Sequence, residues 1–145
     1  EAGFNYRLTD FQAALASSQF ERLDSILGYK AHLASIYSEK IKHSGISLPS
    51  VAADRNHTWQ TFHIMLEDGM DRQRAIHLLR EKRIGTNYGA QCIPAQKYYL
   101  HKYKFDSSAQ FPNAWKAFRQ GLAIPLYERL TEEDVHYIAK TLNSL

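Results

Sequence analysis

Asn5, Tyr6 and Arg7 stand together just ahead of a strong helix-start signal. The Asn amide donates hydrogen bonds without adding charge. The Arg guanidinium adds a permanent charge in a fork that suits phosphate or carboxylate oxygens. Thr9 lies three residues before Gln12, the spacing of a capping box, in which the Thr hydroxyl takes one helix N–H and the Gln side chain reaches back. Asp10 falls in the first turn, where the helix dipole favours an acid. Polar side chains fixed beside a helix start are well placed to hold an anion. The residues alone do not name that anion. Taken singly, Asn5 also reads as a turn residue near an N-cap. Arg7 also reads as the partner of Asp10 or of an acid elsewhere, and Tyr6 reads as a packing residue.

A second candidate is Gly85–Gln96, GTNYGAQCIPAQ. Gln91 and Gln96 offer both donors and acceptors. Glutamine cannot carry a proton near neutral pH as histidine can. Asn87 and Tyr88 fall in the same stretch, for which an ordinary surface loop is the plain alternative. Cys92 has no histidine in its motif and reads as a packed thiol. The seven histidines show no metal-ligand spacing, so no metal site is expected. No glycine-rich phosphate loop occurs. Trp59 and Trp115 read as core or interface residues.

At 145 residues the chain is long enough for one domain with its own core. Its 44% hydrophobic and 23% charged content is that of a globular protein. The single cysteine excludes an internal disulfide framework and fits a reducing, cytoplasmic setting. No apolar run approaches the ~20 residues of a membrane span. The net charge is +3, but residues 71–104 hold eight Lys/Arg against Asp71 and Glu81. A solvated face explains most of that excess, and a positive field near a phosphate-bearing ligand is the sharper alternative. No nucleic-acid motif accompanies it.

The elements that must carry these residues follow from periodicity. Ala16, Phe20, Leu23, Leu27, Ala31, Ala34, Tyr37 and Ile41 recur every three or four positions. This predicts one helix from Thr9 to about Lys42, with Gly45 as its stop. Such a helix is about 50 Å long, against a radius of gyration of ~15 Å for a chain of this size. It must therefore bend, with Gly28 as the candidate point, or extend past its own domain. Leu48–Asn56 reads as a loop, His57–Leu66 as a strand, and Asp71 as the cap of a helix through Lys82. Ile84–Tyr88 is a second short strand candidate. Gly89–Lys104 reads as an irregular, aromatic-rich connection with one helical turn. Pro112 opens a helix ending near Gly121, Leu122–Leu126 is a third strand, and Thr131 with Asp134 caps a last helix. The expected class is α+β: a long N-terminal helix, then a small three-stranded sheet with helices packed on one face. Residues 1–145 would form a single domain, 1–45 as a linking helix and 46–145 as the small α+β domain.

GFNYRLTDFQAAL with QFERLD, RIGTNYGAQCIPAQ, FPNAWKAFRQGLAIPLY and LTEEDVHYI, in that order, closely resemble landmarks in the C-terminal part of the DegT/DnrJ/EryC1/StrS aminotransferases. The resemblance covers nearly the whole chain. It implies the small C-terminal domain of a fold-type I aminotransferase. It further implies a parent enzyme that uses pyridoxal 5'-phosphate to aminate a nucleotide-linked keto-sugar, with glutamate as the expected donor. Asn5 matches a family Asn that reaches across a homodimer to the cofactor phosphate, and Arg7 is placed near cofactor or substrate phosphate. Gln91 and Gln96 stand where the family often has histidines, so Tyr88, Gln91 and Gln96 carry over as substrate-lining residues with no acid–base role. The lysine that holds the cofactor lies upstream in the family, and no lysine here has its surrounding motif. With Glu1 as first residue, the chain reads as the C-terminal portion of a longer enzyme, inactive alone. The alternatives are a non-enzymatic binding or dimerisation module, or a family member acting on a cyclitol or as a dehydratase.

Overall fold

Caps read from local sequence open three of the helices. The computed structural model describes residues 6–145. Thr9 Oγ1 accepts from the Gln12 N–H at 3.3 Å while Gln12 Oε1 accepts from the Thr9 N–H at 3.0 Å, opening α1 (Asp10–Phe20). Asp71 Oδ1 accepts from the Gln73 and Arg74 N–H groups and opens α3 (Arg72–Glu81). Thr131 and Asp134 form the reciprocal pair that opens α7 (Glu132–Leu142). Each pair satisfies helix N–H groups that the helix itself leaves without partners.

The N-terminal helical stretch is not continuous. It breaks at Glu21–Arg22, and α2 then runs over Leu23–Lys40. The break is not at Gly28, which lies inside α2 with open space around it. Arg22 leaves helical geometry at ψ 2°, and its guanidinium donates to Glu128 Oε2 at 2.6 Å, ahead of α7. The helix also ends sooner than Lys42, because Ile41 is already extended, so Gly45 is not its stop. The expected apolar stripe divides at the same place. Ala34, Tyr37 and Ile41 are buried, together with Leu33 and Ile36, whereas no residue of α1 is buried.

The remaining elements are β1 (Ile46–Ser47), β2 (Phe62–Leu66), a 3-10 turn at Ile93–Ala95, α4 (Lys97–Tyr103), α5 (Ser107–Gln110), α6 (Pro112–Gln120) and β3 (Gly121–Ile124). The sheet is antiparallel in the order β1-β2-β3. Phe62 pairs with Ile124 and Ile64 with Leu122. Alternation then sends Phe62, Ile64 and Leu66 to one face, where they join Leu33 and Tyr37 of α2, Leu79 of α3, and Val135, Ile138 and Leu142 of α7 in one core. His63 and Met65 take the other face. Three stranded segments were expected and three are present, but their membership differs. The expected strand over His57–Leu66 begins only at Phe62, after Trp59, whose φ of +50° interrupts extended backbone. Ile84–Tyr88 makes only a single bridge, Asn87 to Ala123. The third strand is instead β1, too short to leave a periodic signal. The expected strand over Leu122–Leu126 is shifted to Gly121–Ile124, and Pro125 lies just past its end.

Candidate functional site

Asn5 lies outside the described residues. Tyr6 and Arg7 lead into α1 and are exposed, just ahead of the capped N-terminus. Among the described residues of this corner, Tyr6 contributes a hydroxyl and Arg7 a guanidinium.

The 85–96 loop is more fully built. Gln96 Nε2 reaches Gln91 Oε1 at 3.5 Å, so the two glutamines meet across the 3-10 turn. Both are exposed, while Cys92 between them is completely buried and serves as a packed anchor. Tyr88 is held at four points. Its N–H donates to Asn87 Oδ1 at 2.7 Å, and its hydroxyl accepts from Gln73 Nε2 at 3.1 Å. The Arg72 guanidinium lies 4.3 Å from its ring centroid, a cation–π contact, and the His63 ring nitrogen lies 3.3 Å from its carbonyl oxygen. The loop is joined to the sheet by the Asn87–Ala123 bridge.

Arg72 is the hub that the sequence reading passed over as part of a solvated basic face. Its guanidinium also donates to the Phe118 carbonyl and, at 3.3 Å, to the Gly121 carbonyl. It thereby ties the start of α3 to the α6–β3 junction. Partial burial pulls its pKa below the ordinary guanidinium value, with Arg119 adding to that pull and Tyr88 opposing it. It remains a cation at neutral pH. Its contacts are 16 to 49 positions away in sequence, so no local spacing announced them. Lys102 of the same basic segment lies 5.2 and 5.3 Å from the Tyr98 and Tyr103 rings and donates to the Tyr98 hydroxyl at 2.9 Å.

Two clefts of about 680 and 640 Å³ indent the surface. The first lies between the end of α3 and α7, the second between the β2–α3 turn and α6. Neither is lined by Arg7, Tyr88, Gln91 or Gln96. The exposed glutamine pair and the α1 corner thus lie outside both clefts and offer hydrogen-bonding edges.

The family model for DegT/DnrJ/EryC1/StrS aminotransferases matches residues 1–143. The chain belongs to this family. A curated relative, the spore coat polysaccharide biosynthesis protein SpsC of Bacillus subtilis, is 26% identical over 148 residues, covering 99% of this chain and 38% of SpsC. The fold is that of solved sugar aminotransferases. DesV of S. venezuelae, solved in complex with a ketimine intermediate, superposes with a TM-score of 0.89 at 24% identity, over 99% of this chain and 38% of that one. The putative sugar aminotransferase Spr1654 of Streptococcus pneumoniae, in its PLP-form, gives 0.85 at 22%, over 95% of this chain and 36% of that one. This chain thus spans well under half the length of the relatives it matches. No helix among the described residues is long and apolar enough to cross a membrane.

Proposed function

We propose that this chain is the C-terminal domain of a pyridoxal-phosphate-dependent aminotransferase that transfers an amino group, with glutamate as donor, to a keto-sugar carried on a nucleotide. The observation that carries this reading is the family match over residues 1–143, from the Asn5–Arg7 corner to the end of α7. SpsC, named for polysaccharide biosynthesis, and the sugar aminotransferases DesV and Spr1654 support the sugar as acceptor class.

The residues present suit one end of the cofactor. A phosphate needs donors and positive charge, and the Asn5 amide, the Arg7 guanidinium and the α1 N-terminus supply both. When bound, pyridoxal phosphate supplies the electron sink that lets an amino group leave one carbon and join another. Asn5 would donate to a phosphate oxygen, across the interface of a cytoplasmic homodimer. Arg7 would hold the same phosphate or that of the nucleotide. Gln91 and Gln96, with the exposed edge of Tyr88, would hydrogen-bond the sugar or its phosphates and fix its orientation without moving protons. The exposed edges require a second surface to close the site, which the dimer and the remaining length of the enzyme would provide.

The decisive experiment uses the full-length protein that carries this chain. Incubated with pyridoxal phosphate, glutamate and a panel of nucleotide-linked keto-sugars, it should form an amino-sugar and release 2-oxoglutarate in equal amounts. Failure across a panel that includes both uridine and thymidine diphosphate keto-sugars would overturn the reading.

A further inference from the structure

His63 lies on β2, on the sheet face opposite the core, and so far it has entered only as one of the four contacts of Tyr88. Three observations converge on its ring. A Cβ placed on Gly89 would fall deep inside contact distance of the His63 ring, and so would one on Gly121. The ring therefore occupies space that exists because two positions, far apart in sequence, lack side chains. Gly89 also has a φ of +71°, which glycine adopts at no steric cost. Finally, the His63 ring nitrogen Nε2 is 3.3 Å from the Tyr88 carbonyl oxygen, an acceptor in the residue just before Gly89.

The geometry points to His63 as a positioning residue for the 85–96 loop. Its ring fills the gap between Gly89 of the loop and Gly121 at the start of β3. Its Nε2–H donates to the Tyr88 carbonyl and fixes where the chain turns away from the sheet. The Asn87–Ala123 bridge holds the loop two residues before Gly89, and Arg72 holds the Tyr88 ring. His63 completes this anchor from beneath, and the backbone beyond it leads to Gln91 and Gln96. A histidine suits the place because it is flat enough for the gap and still presents an N–H at its far edge. Leucine would fill the gap and present none. The consequence for substrate contact rests on the function proposed above; the positioning of the loop does not.

The test compares His63→Leu and His63→Gln in the full-length protein. Amide hydrogen exchange over Gly89–Gln96 should rise roughly five- to tenfold in His63→Leu, the loss expected for one neutral hydrogen bond. Exchange in α2 and α7 should stay unchanged. His63→Gln, which restores an N–H near the Tyr88 carbonyl, should return the loop toward wild-type exchange. Equal loop exchange in both variants and wild type overturns the proposal, as does a uniform rise through α2 and α7. A second comparison serves if His63→Leu fails to fold. Gly89→Ala should loosen the loop less in a His63→Ala background than alone, because the steric conflict is gone; equal loosening in both backgrounds overturns the proposal. In the aminotransferase assay, His63→Leu should raise KM for the sugar substrate several-fold with little change in kcat, and His63→Gln should restore it. A loosened loop with unaltered KM supports the positioning by His63 and overturns the substrate contact assigned to Gln91 and Gln96.

Discussion

Tyr37 is the largest fully buried side chain, and its hydroxyl donates to the Pro125 carbonyl at 2.9 Å. Its ring lies 5.0 Å from that of Phe62, so one residue links α2, β2 and the end of β3. Tyr37→Phe keeps the packing and leaves the Pro125 carbonyl without that donor, which should cost about 1–3 kcal/mol in urea unfolding. Burial pushes the Tyr37 hydroxyl well above its ordinary value, with the charge of Asp134 and then Tyr127 adding to the effect. The folded state thus holds the neutral phenol. Its contribution is fully present below the unfolded value near pH ~10 and is lost as pH rises toward the folded value. Wild-type unfolding free energy should therefore fall above about pH 10, and Tyr37→Phe should flatten that fall. At the proposed site, loss of an amide donor to a phosphate should cost roughly 1.5–3 kcal/mol. Asn5→Ala in the full-length enzyme should then weaken cofactor retention by about one to two powers of ten. Arg7→Ala should act on substrate affinity if Arg7 meets the nucleotide, and on both affinities if it meets the cofactor phosphate. If Asn5 acts across a dimer, mixing Asn5→Ala subunits with subunits lacking the catalytic lysine should restore one working site per heterodimer. Mixtures that stay inactive while wild-type controls work would remove the cross-subunit role.

At the scale of elements, legibility followed how local each cause is. Thr9, Asp71 and Thr131 were readable as caps because a cap is set within four residues. The bounds of α6 were readable for the same reason: Pro112 has no N–H to place in a first turn, and Gly121 ends the helix. The break at Glu21–Arg22 was not readable, since every residue there favours helix and the tie to Glu128 spans 106 positions. Arg72 and His63 escaped notice similarly, being defined by what lies against them in space. Only the two glycines hinted at the second, and spacing alone does not say what fills the room a glycine leaves. Gln91 and Gln96 were singled out as a pair by the family resemblance, at whose histidine positions they stand. The α7 cap also makes a quantitative claim. Thr131→Ala should destabilise the chain by about 1 kcal/mol in thermal or urea unfolding. Hydrogen bonds from the Thr131 backbone and hydroxyl hold the Asp134 carboxyl below the usual aspartate range. The carboxylate's share of the cap's stabilisation is thus present above the unfolded value near ~3.8 and is lost as pH falls through the lower folded value. The Thr131→Ala deficit should shrink in that acidic window, leaving the part due to the Asp134 N–H bond to Thr131 Oγ1.

For the whole molecule, the core lies on one side of the sheet and the proposed binding edges lie elsewhere, on the α1 corner and the 85–96 loop. The chain should therefore fold without cofactor and yet not hold it covalently. Mixed with pyridoxal phosphate and borohydride, it should label no single lysine stoichiometrically; a specific, stoichiometric adduct would overturn this expectation. The exposed apolar side chains around α1 tell a complementary story. Phe11, Leu15 and Phe20 are 80%, 55% and 74% exposed. Apolar exposure of this kind seeks cover, and light scattering on the purified chain should show self-association that Phe11→Ser with Phe20→Ser abolishes. A strict monomer at high concentration would count against it.

The break at Glu21–Arg22 also makes α1 a short autonomous segment, and that has a thermodynamic consequence. An 11-residue helix without buried side chains is marginal by itself in water. Its helical population before docking then scales the apparent affinity of whatever covers it. Ser17 is exposed on α1, and Ser17→Ala raises helix propensity by a few tenths of a kcal/mol. That change leaves Phe11, Leu15 and Phe20 in place, yet it should tighten association by up to about twofold. Association through α1 is therefore adjustable by its helical population as well as by its apolar side chains.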